Sequence, residues 1–174
     1  MRGVEVLAYQ ECWKDLFIEE AKLLQQIFGD ELVAIHHIGS TSVEGLSAKP
    51  IIDMMPVVKD ISRVDLYDKE MIELGYNPKG EFGIEGRRYF NKGGDARSHH
   101  VHVFEVGSPN IVRHIAFRDY LREHPENAKQ YGDLKSSLAA AFPNDMESYI
   151  NGKNDFVKKT ERDAVKWYES REKK

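Results

Sequence analysis

The apolar run IIDMMPVV, residues 51–58, limits the possible folds of this chain more than any other feature. A short run that is almost entirely apolar is typical of a β-strand covered on both faces. It contains an aspartate, Asp53, whose carboxylate would cost several kcal/mol if it were buried without a cation or hydrogen-bond donors. We therefore expect Asp53 to face a cleft, where it is solvated or holds a metal ion. Capping of a helix or pairing with an arginine is the structural alternative.

The remaining periodicity predicts an α+β fold. From about residue 111 onward, apolar residues recur only at helical spacing, which predicts a helical C-terminal third. The 174 residues fit a single domain, residues 1–174. We expect a small mixed sheet with the first helix and the C-terminal helices packed outside it. The predicted elements before residue 111 are a helix over 9–28, strands over about 33–38, 51–58 and 99–106, a helix over 63–74 and a hairpin strand around 87–90.

Composition excludes several classes of protein. The formal net charge of −4 argues against bulk nucleic-acid binding, and the single cysteine, Cys12, excludes an internal disulfide. No apolar run approaches the roughly 20 residues that a membrane span needs, so no membrane partner is expected. The first residues resemble neither a signal peptide nor a transit peptide, which predicts a cytoplasmic protein. The sequence carries no signal for a particular oligomeric state.

The residues Gly39-Ser40-Thr41-Ser42 follow a predicted strand and predict a tight turn. Such a turn offers backbone N–H groups and hydroxyls, which together can hold phosphate oxygens. An ordinary Gly-Ser turn without a ligand is the alternative. The interest of this turn depends on Asp53, which follows about a dozen residues later.

A His-Val-His motif at residues 100–102 offers a second candidate site. Side chains two residues apart share a face of a strand, so His100 and His102 point the same way and can present two ligands to a metal ion. His99 lies on the opposite face. The alternative is a pair of exposed or internally satisfied histidines without a metal.

Basic residues near these motifs are candidates for binding phosphate. On the helix over 111–123, His114, Arg118 and Arg122 recur every four residues and share a face, where the forked donors of arginine suit phosphate. A solvated face with salt bridges is the alternative for this row. Lys49 and Arg88 lie closer in sequence to the predicted cleft, and Lys153 is a further candidate.

Five stretches of the sequence resemble the GrpB family, and together they cover nearly the whole chain. The stretches are HIGSTSVEGLSAKPIIDMMPVV (37–58), GY (75–76), HHVHVFE (99–105), FRDYLREHPENAKQYGDLK (117–135) and GKNDFV (152–157). The resemblance implies a nucleotidyltransferase-like fold, whose core is a mixed sheet that carries a Gly-Ser turn and downstream acidic residues. It also implies a family without a settled reaction, in which this domain is sometimes fused to dephospho-coenzyme A kinase.

The resemblance implies roles for individual residues. In typical members of the superfamily, the Gly-Ser turn binds a triphosphate and two carboxylates separated by one residue hold magnesium. Gly39 and Ser40 match the turn, and Asp53 matches the first carboxylate. The second position is Met55, which cannot bind magnesium. His100 and His102 stand where a further carboxylate is expected, and imidazole suits Zn²⁺ or Mn²⁺ better than Mg²⁺.

Two functions therefore stay open at this stage. The first is a divergent nucleotidyl- or phosphoryl-transfer enzyme, in which Asp53, His100 and His102 share one divalent metal ion. In this hypothesis the phosphates of the ligand are held by Gly39, Ser40, Thr41, Lys49, Arg88 and Arg118. The alternative is a catalytically inactive module that binds a nucleotide or a coenzyme A-related ligand. Both hypotheses predict a nucleotide or another phosphate-bearing small molecule as the partner, and the sequence names neither the acceptor nor the general base.

Overall fold

The computed structural model describes residues 3–172 of the chain. Its strands are β1 (Leu32–Ile38), β2 (Ile52–Val58), β3 (Tyr76–Pro78), β4 (Arg88–Lys92) and β5 (His99–Glu105). Its α-helices are α1 (Cys12–Phe28), α2 (Asp68–Glu73), α3 (Pro109–Glu123), α4 (Pro125–Ala141) and α5 (Met146–Glu172). None of these helices, within the described residues, is both long and apolar enough to cross a membrane.

The strands form one mixed sheet with the spatial order β1-β2-β5-β4-β3. Strand β2 lies near its centre, antiparallel to β1 and parallel to β5. In this register, Asp53 lies between Ile38 of β1 and His100 of β5. The prediction that the segments near 33–38, 51–58 and 99–106 share one sheet is confirmed.

The two faces of the sheet are covered by different helices. One face packs against α1 in a core cluster that includes Leu24, Phe28, Met54 and Val101. On the other face, Ile38, Met55 and Phe104 are buried together, with Ile111 and Ile115 of α3 packed against them. Because side chains alternate along a strand, Asp53 and Met55 both point to this second face. The α+β prediction, with helices outside the sheet, is confirmed.

Some predicted elements differ in their bounds or type. The helix predicted over 63–74 is a 3₁₀ segment (Ile61–Tyr67) followed by the short helix α2. The side chain of Asp60 accepts a hydrogen bond from the Ser62 N–H, which starts the segment earlier than the apolar spacing suggested. The last helix, α5, begins at Met146, directly after Asp145. There the carboxylate of Asp145 accepts a hydrogen bond from the N–H of Ser148.

Candidate ligand site around Asp53

The predicted Gly-Ser turn lies directly against Asp53. Gly39 has a φ angle of 71°, and a Cβ atom at this position would lie 2.7 Å from Asp53 Oδ2. Glycine is therefore required both for the backbone conformation and for the close approach. The next three residues, Ser40–Ser42, form a single 3₁₀ turn. The hydroxyl of Thr41 is hydrogen-bonded to His37 Nε2 at 2.9 Å, so this side chain already has a partner within the fold.

Two arginines of α3 donate hydrogen bonds to backbone carbonyls at the turn. Arg118 Nη1 donates to the His37 carbonyl at 3.2 Å, and Arg122 Nη2 donates to the Ser42 carbonyl at 2.7 Å. Arg118 Nε also binds the Asp119 carboxylate at 2.9 Å. Arg118 and Arg122 thus bind backbone carbonyls on either side of the turn. Both arginines also pair with the Asp119 carboxylate, at 2.9 and 3.8 Å, so the salt bridges of the structural alternative form as well.

Asp53, His100 and His102 converge in what we call the Asp53 cluster. Asp53 Oδ1 lies 3.3 Å from His100 Nδ1 and 3.1 Å from His102 Nε2. The register explains the convergence, since His100 is directly opposite Asp53 on the neighbouring parallel strand and His102 follows two residues later. One donor atom from each of the three residues lies within 4.8 Å of the others.

The environment of the cluster keeps Asp53 ionised. Burial opposes the charge, but the hydrogen bonds and charges of His100 and His102 outweigh it and hold the pKa of Asp53 well below its usual range. Burial lowers the pKa of His102, although Asp53 acts in the opposite direction. The cluster is therefore described best as a carboxylate between two imidazole rings.

Each imidazole of the cluster has an arginine on its far side. Arg87 Nη1 lies 3.2 Å from His102 Nδ1, and Arg97 Nη1 lies 3.0 Å from His100 Nε2. Arg87 is 6% exposed, and it also donates to the carbonyls of Glu81 and Phe82. Asp53 is thus linked through two rings to two guanidinium groups.

On one side of Asp53 lies a cavity of about 230 Å³, which we call the lysine cavity. The turn residues Ser40 and Thr41 line one wall. The remaining wall carries cationic and aromatic side chains from the segment before β2 and from the two last helices. The residues that define the cavity are Ser40, Thr41, Lys49, Asp53, His100, Lys135, Tyr149 and Lys153.

Two buried donors of the lysine cavity have no hydrogen-bond partner among residues 3–172, although Lys135 Nζ lies 4.3 Å from the centroid of the Tyr131 ring. Lys135 is 2% exposed and Tyr149 is fully buried. Among the described residues 3–172, neither Lys135 Nζ nor the Tyr149 hydroxyl has a hydrogen-bond partner. Unsatisfied buried polar groups are rare in folded proteins because each costs about 1–3 kcal/mol, and more for a charge. Two of them in one cavity leave positions there for a hydrogen-bond acceptor, which water or a ligand can supply.

The charges around this cavity act on one another. Burial, followed by the charges of Lys153 and Lys49, lowers the pKa of the Lys135 ammonium to about 6, against the opposing effect of Asp53. Burial also lowers the pKa of Lys153. Lys49 and Lys153 each lie over the ring of Tyr149, with Nζ 5.3 Å from its centroid. Burial and the neighbouring lysines therefore disfavour the charged form of Lys135 in the free protein.

A second cavity, of about 260 Å³, lies on the other side of Asp53 and has a different lining. It shares Ser40, Asp53 and Lys153 with the lysine cavity. We call it the apolar cavity because its walls are mainly hydrophobic and aromatic: Ile38, Phe117, Tyr131, Ile150 and Val157, with His102 and His114 at one end. The two cavities meet at the turn.

Most of the sequence-predicted site residues lie around these cavities. Ser40, Thr41 and Lys49 line the lysine cavity together with Asp53, and Gly39 lines the apolar one. Arg88 lies elsewhere, because its Nε pairs with the Asp65 carboxylate at 2.8 Å. Arg118, bound to the His37 carbonyl, lines neither cavity. The structure thus brings neither Arg88 nor Arg118 to the wall of a cavity.

Sequence reasoning missed four side chains of the site. Lys135 and Tyr149 carry the unpartnered donors, and Arg87 and Arg97 contact the histidines. One usable signal existed for Lys135, which follows the buried Tyr131 by four residues and therefore shares its helix face. His99, predicted to lie on the opposite face, does so, with Nε2 3.6 Å from Glu20.

The position of the missing second carboxylate lies inside the core. Met55 is fully buried between Ile38 and Phe104, and Ile111 and Ile115 of α3 pack against this cluster. Asp53, only two residues earlier, borders both cavities. Helix α3 therefore covers the part of the sheet where a second carboxylate would have to face a metal ion.

The comparisons with known proteins agree on the family. The model of the GrpB protein family matches residues 3–163. UPF0157 protein YqkA of Bacillus subtilis is 51% identical over 170 residues, which are 98% of this chain and 50% of the relative. The chain thus spans half the length of that relative. The crystal structure of GrpB from Enterococcus faecalis is 47% identical, with a TM-score of 0.91, and the match covers 94% of this chain and 99% of that chain.

Two more distant likenesses extend this result. A structure of Cid1, whose description names an RNA terminal uridylyl transferase activity, has a TM-score of 0.51 and 13% identity, covering 76% of this chain and 43% of that one. At that identity the likeness concerns the fold alone, which is nucleotidyltransferase-like. A dephospho-CoA kinase of Mycobacterium leprae is 23% identical over 174 residues, which are 84% of this chain and 43% of the relative.

Proposed function

We propose that this chain, which belongs to the GrpB family, binds the phosphate groups of a nucleotide or another phosphate-bearing small molecule in the lysine cavity. One observation carries the proposal. The ammonium group of Lys135 is buried, has no hydrogen-bond partner among residues 3–172, and borders the cavity formed by the phosphate turn. Phosphate oxygens would supply the missing acceptors and would favour the charged, ammonium form of Lys135.

The neighbouring groups support an anion rather than a neutral ligand. Lys49 and Lys153 add two more ammonium groups, and the unpartnered Tyr149 hydroxyl adds a donor. Ser40 adds a hydroxyl from the opposite wall. A ligand with several phosphate oxygens can satisfy these donors together, whereas a single carboxylate has too few acceptor positions to reach them all.

The adjoining apolar cavity is suited to the part of the ligand that carries no phosphate. It opens from the same turn and carries Phe117, Tyr131 and Val157. A nucleotide, with an anionic and a planar part, fits this division between two cavities. A coenzyme A-related ligand fits this division as well. The similarity to a dephospho-CoA kinase favours such a ligand only as an association between related proteins.

Calorimetric titration with inorganic tripolyphosphate and with ATP, in the presence of EDTA, tests the proposal. Wild-type protein should bind both, and Lys135→Met should weaken binding at least about tenfold, the equivalent of one charge-assisted hydrogen bond. Lys129→Met is the matched control, because Lys129 lies on the same helix with its side chain 78% exposed. Absence of binding to wild-type protein, or equal losses in the two variants, would contradict the proposal.

Metal-dependent nucleotidyl or phosphoryl transfer is the second candidate function, and the distances in the Asp53 cluster are compatible with it. Metal–ligand bonds of about 2.1 Å separate neighbouring donor atoms by about 3.0–3.4 Å. The two distances from Asp53 Oδ1, 3.1 and 3.3 Å, lie in this range. Asp53, His100 and His102 would hold the ion, which would neutralise charge on the transferred phosphate.

This second candidate is tested separately by turnover. Wild-type protein, supplied with ATP and Mn²⁺ or Zn²⁺ and with water as the acceptor, should release pyrophosphate with AMP or phosphate with ADP. Asp53→Asn should abolish the release while ATP binding in EDTA persists. Release without added metal, or equal release by the variant, would contradict a metal-dependent reaction.

A further inference from the structure

The distances in the Asp53 cluster fit two different arrangements of protons, and the arginines behind the histidines distinguish them. A separation near 3.1 Å between Asp53 Oδ1 and His102 Nε2 fits either a hydrogen bond or two ligands of one metal ion. In the first case the inner nitrogen carries a proton, and in the second it offers a lone pair. The outer nitrogen then carries the opposite, because a neutral imidazole has one proton.

Arginine can only donate, so its partner must accept. A guanidinium group has five N–H donors, no acceptor, and no accessible neutral form in proteins. Arg87 Nη1, 3.2 Å from His102 Nδ1, therefore requires a lone pair on Nδ1 and leaves the proton on Nε2, facing Asp53. Arg97 Nη1, 3.0 Å from His100 Nε2, likewise leaves the proton of His100 on Nδ1, facing Asp53.

This arrangement is the reverse of the one that supports a metal ion. A metal-bound histidine normally donates its outer N–H to a carboxylate, a carbonyl or water. In the Asp53 cluster, both outer nitrogens face donors instead. Metal ligation would place N–H groups of His102 and Arg87 against each other, and the same would hold for His100 and Arg97.

The positions of the arginines are themselves determined by the fold. Arg87 Nε and Nη2 donate to the carbonyls of Glu81 and Phe82, at 3.2 and 2.8 Å, and the side chain is 6% exposed. Arg97 Nε donates to the Gly94 carbonyl at 3.1 Å. Turning Arg87 away from His102 would therefore break hydrogen bonds in a buried setting.

We infer that Arg87 and Arg97 hold His102 and His100 in tautomers that donate to Asp53 and thereby disfavour a divalent cation at the cluster. The donor set resembles a metal site, but its outer partners fit a hydrogen-bonded carboxylate. The inference concerns the second candidate function and does not depend on phosphate binding. It assigns neutralisation of the ligand's charge to the lysines rather than to a metal ion.

Histidine nitrogen NMR measures the tautomers directly in metal-free protein. We expect the proton of His102 on Nε2 and that of His100 on Nδ1, the less common tautomer in water. In Arg87→Met the preference of His102 should be lost while that of His100 persists. Protons on the outer nitrogens of both rings in wild-type protein would overturn the inference.

Titration with Zn²⁺ and with Mn²⁺ measures the consequence for metal affinity. Arg87→Met should bind either ion at least about tenfold more tightly than wild-type protein, a change of the size found for other outer partners of metal ligands. Arg88→Met is the matched control, since Arg88 is the neighbouring residue but pairs with Asp65. Unfolding curves of each variant establish that it is folded. If wild-type protein and Arg87→Met bind metal equally, or if the variant binds more weakly, the arginines do not oppose the cation and the inference is wrong.

Discussion

The lysines and the arginines around Asp53 differ in what they contact. Four arginines lie near the turn or the cluster, and each donates to atoms of the protein: Arg87, Arg97, Arg118 and Arg122. Lys135, in contrast, has no hydrogen-bond partner among residues 3–172 although it is buried. Basic side chains thus have two kinds of environment within one site.

The difference shows which cations support the site and which face a ligand. The rigid fork of arginine suits fixed carbonyl and imidazole acceptors, whereas an ammonium group is a compact charge whose pKa shifts readily on burial. Burial and neighbouring lysines lower the pKa of Lys135 to about 6. The charged form of Lys135 therefore destabilises the folded state, and this group lies beside a cavity. An anion in the cavity would offset this destabilisation, and the arginines would keep their partners throughout.

The comparison implies that an unpartnered charge is tolerated only where a cavity reaches it, and Met55→Asp tests this most severely. Met55 is fully buried under α3. A carboxylate there should lower the free energy of unfolding by about 4 kcal/mol. Met55→Leu, which conserves volume, should cost less than about 1.5 kcal/mol. Denaturant unfolding of both variants measures the difference, and a stable Met55→Asp protein that binds Mg²⁺ would show that α3 does not close this position.

The buried ammonium should make stability depend on pH with a defined sign. The pKa of Lys135 is about 6 in the folded protein and near its ordinary value of about 10.4 when unfolded. Between these values the unfolded state binds more protons, so the free energy of unfolding rises with pH by at most about 1.4 kcal/mol per unit. From pH 7 to 9 the difference between wild-type protein and Lys135→Met should change by about 2.7 kcal/mol.

Below pH 6 Lys135 is charged in both states, so its unfavourable contribution should be constant and largest there. Lys135→Met should therefore be more stable than wild-type protein at pH 6, with the gap closing toward pH 10. Unfolding curves at each pH measure it. A gap that is independent of pH, with Lys129→Met behaving like Lys135→Met, would mean that Lys135 titrates normally and is not a strained cation.

Removing an arginine that donates to a backbone carbonyl of the turn should destabilise the folded state. Arg122 donates through Nε and Nη2 to the Ser42 carbonyl at 3.0 and 2.7 Å. Arg122→Met should lower the free energy of unfolding by about 2 kcal/mol, since the carbonyl loses a charged donor. Arg171→Met is the control, because Arg171 pairs with Glu123 on the surface, and it should cost less than about 1 kcal/mol. Equal stabilities of the two variants would remove the distinction between supporting and surface arginines.

The smallest expected effect concerns the second unpartnered donor. Tyr149→Phe removes only the hydroxyl, which has no partner among the described residues. We expect tripolyphosphate to bind about fivefold more weakly, the value of about one neutral hydrogen bond, with stability unchanged or higher. Tyr168→Phe, on the same helix, serves as the control for titration and unfolding. If Tyr149→Phe binds tripolyphosphate as tightly as wild-type protein, the hydroxyl does not contact the ligand, and binding is assigned to the lysines without it.

The sequence predicted the site residues that lie on strands better than those that lie on helices. Alternation along β2 and β5 places Asp53, His100 and His102 on one face, and only the parallel pairing of the two strands had to be added to bring them together. Gly39 was identifiable because it follows a strand and precedes hydroxyl residues. These relations are local or follow from a period of two residues.

The part of the site on helices depends on which helices meet over the turn, and no local pattern contains that information. Lysine is almost never fully buried, so Lys135 in a helical sequence is most simply interpreted as exposed. Tyr149 lies in the first turn of α5, and its burial depends on which elements pack against that turn. Sequence distance to the cleft selected Arg88, and it cannot show that the neighbouring Arg87 reaches His102 while Arg88 reaches Asp65.

The most direct test of the central claim is the pKa of the Lys135 ammonium, measured by heteronuclear NMR with selectively labelled lysine and assigned with Lys135→Met. The account predicts a value of about 6 in the free protein. It also predicts a rise of at least about one unit when tripolyphosphate is bound, because the anion favours the charged form by about 1.4 kcal/mol or more. An ordinary value near 10.4 in the free protein, or a depressed value that tripolyphosphate leaves unchanged, would contradict the claim that this cation faces a phosphate site.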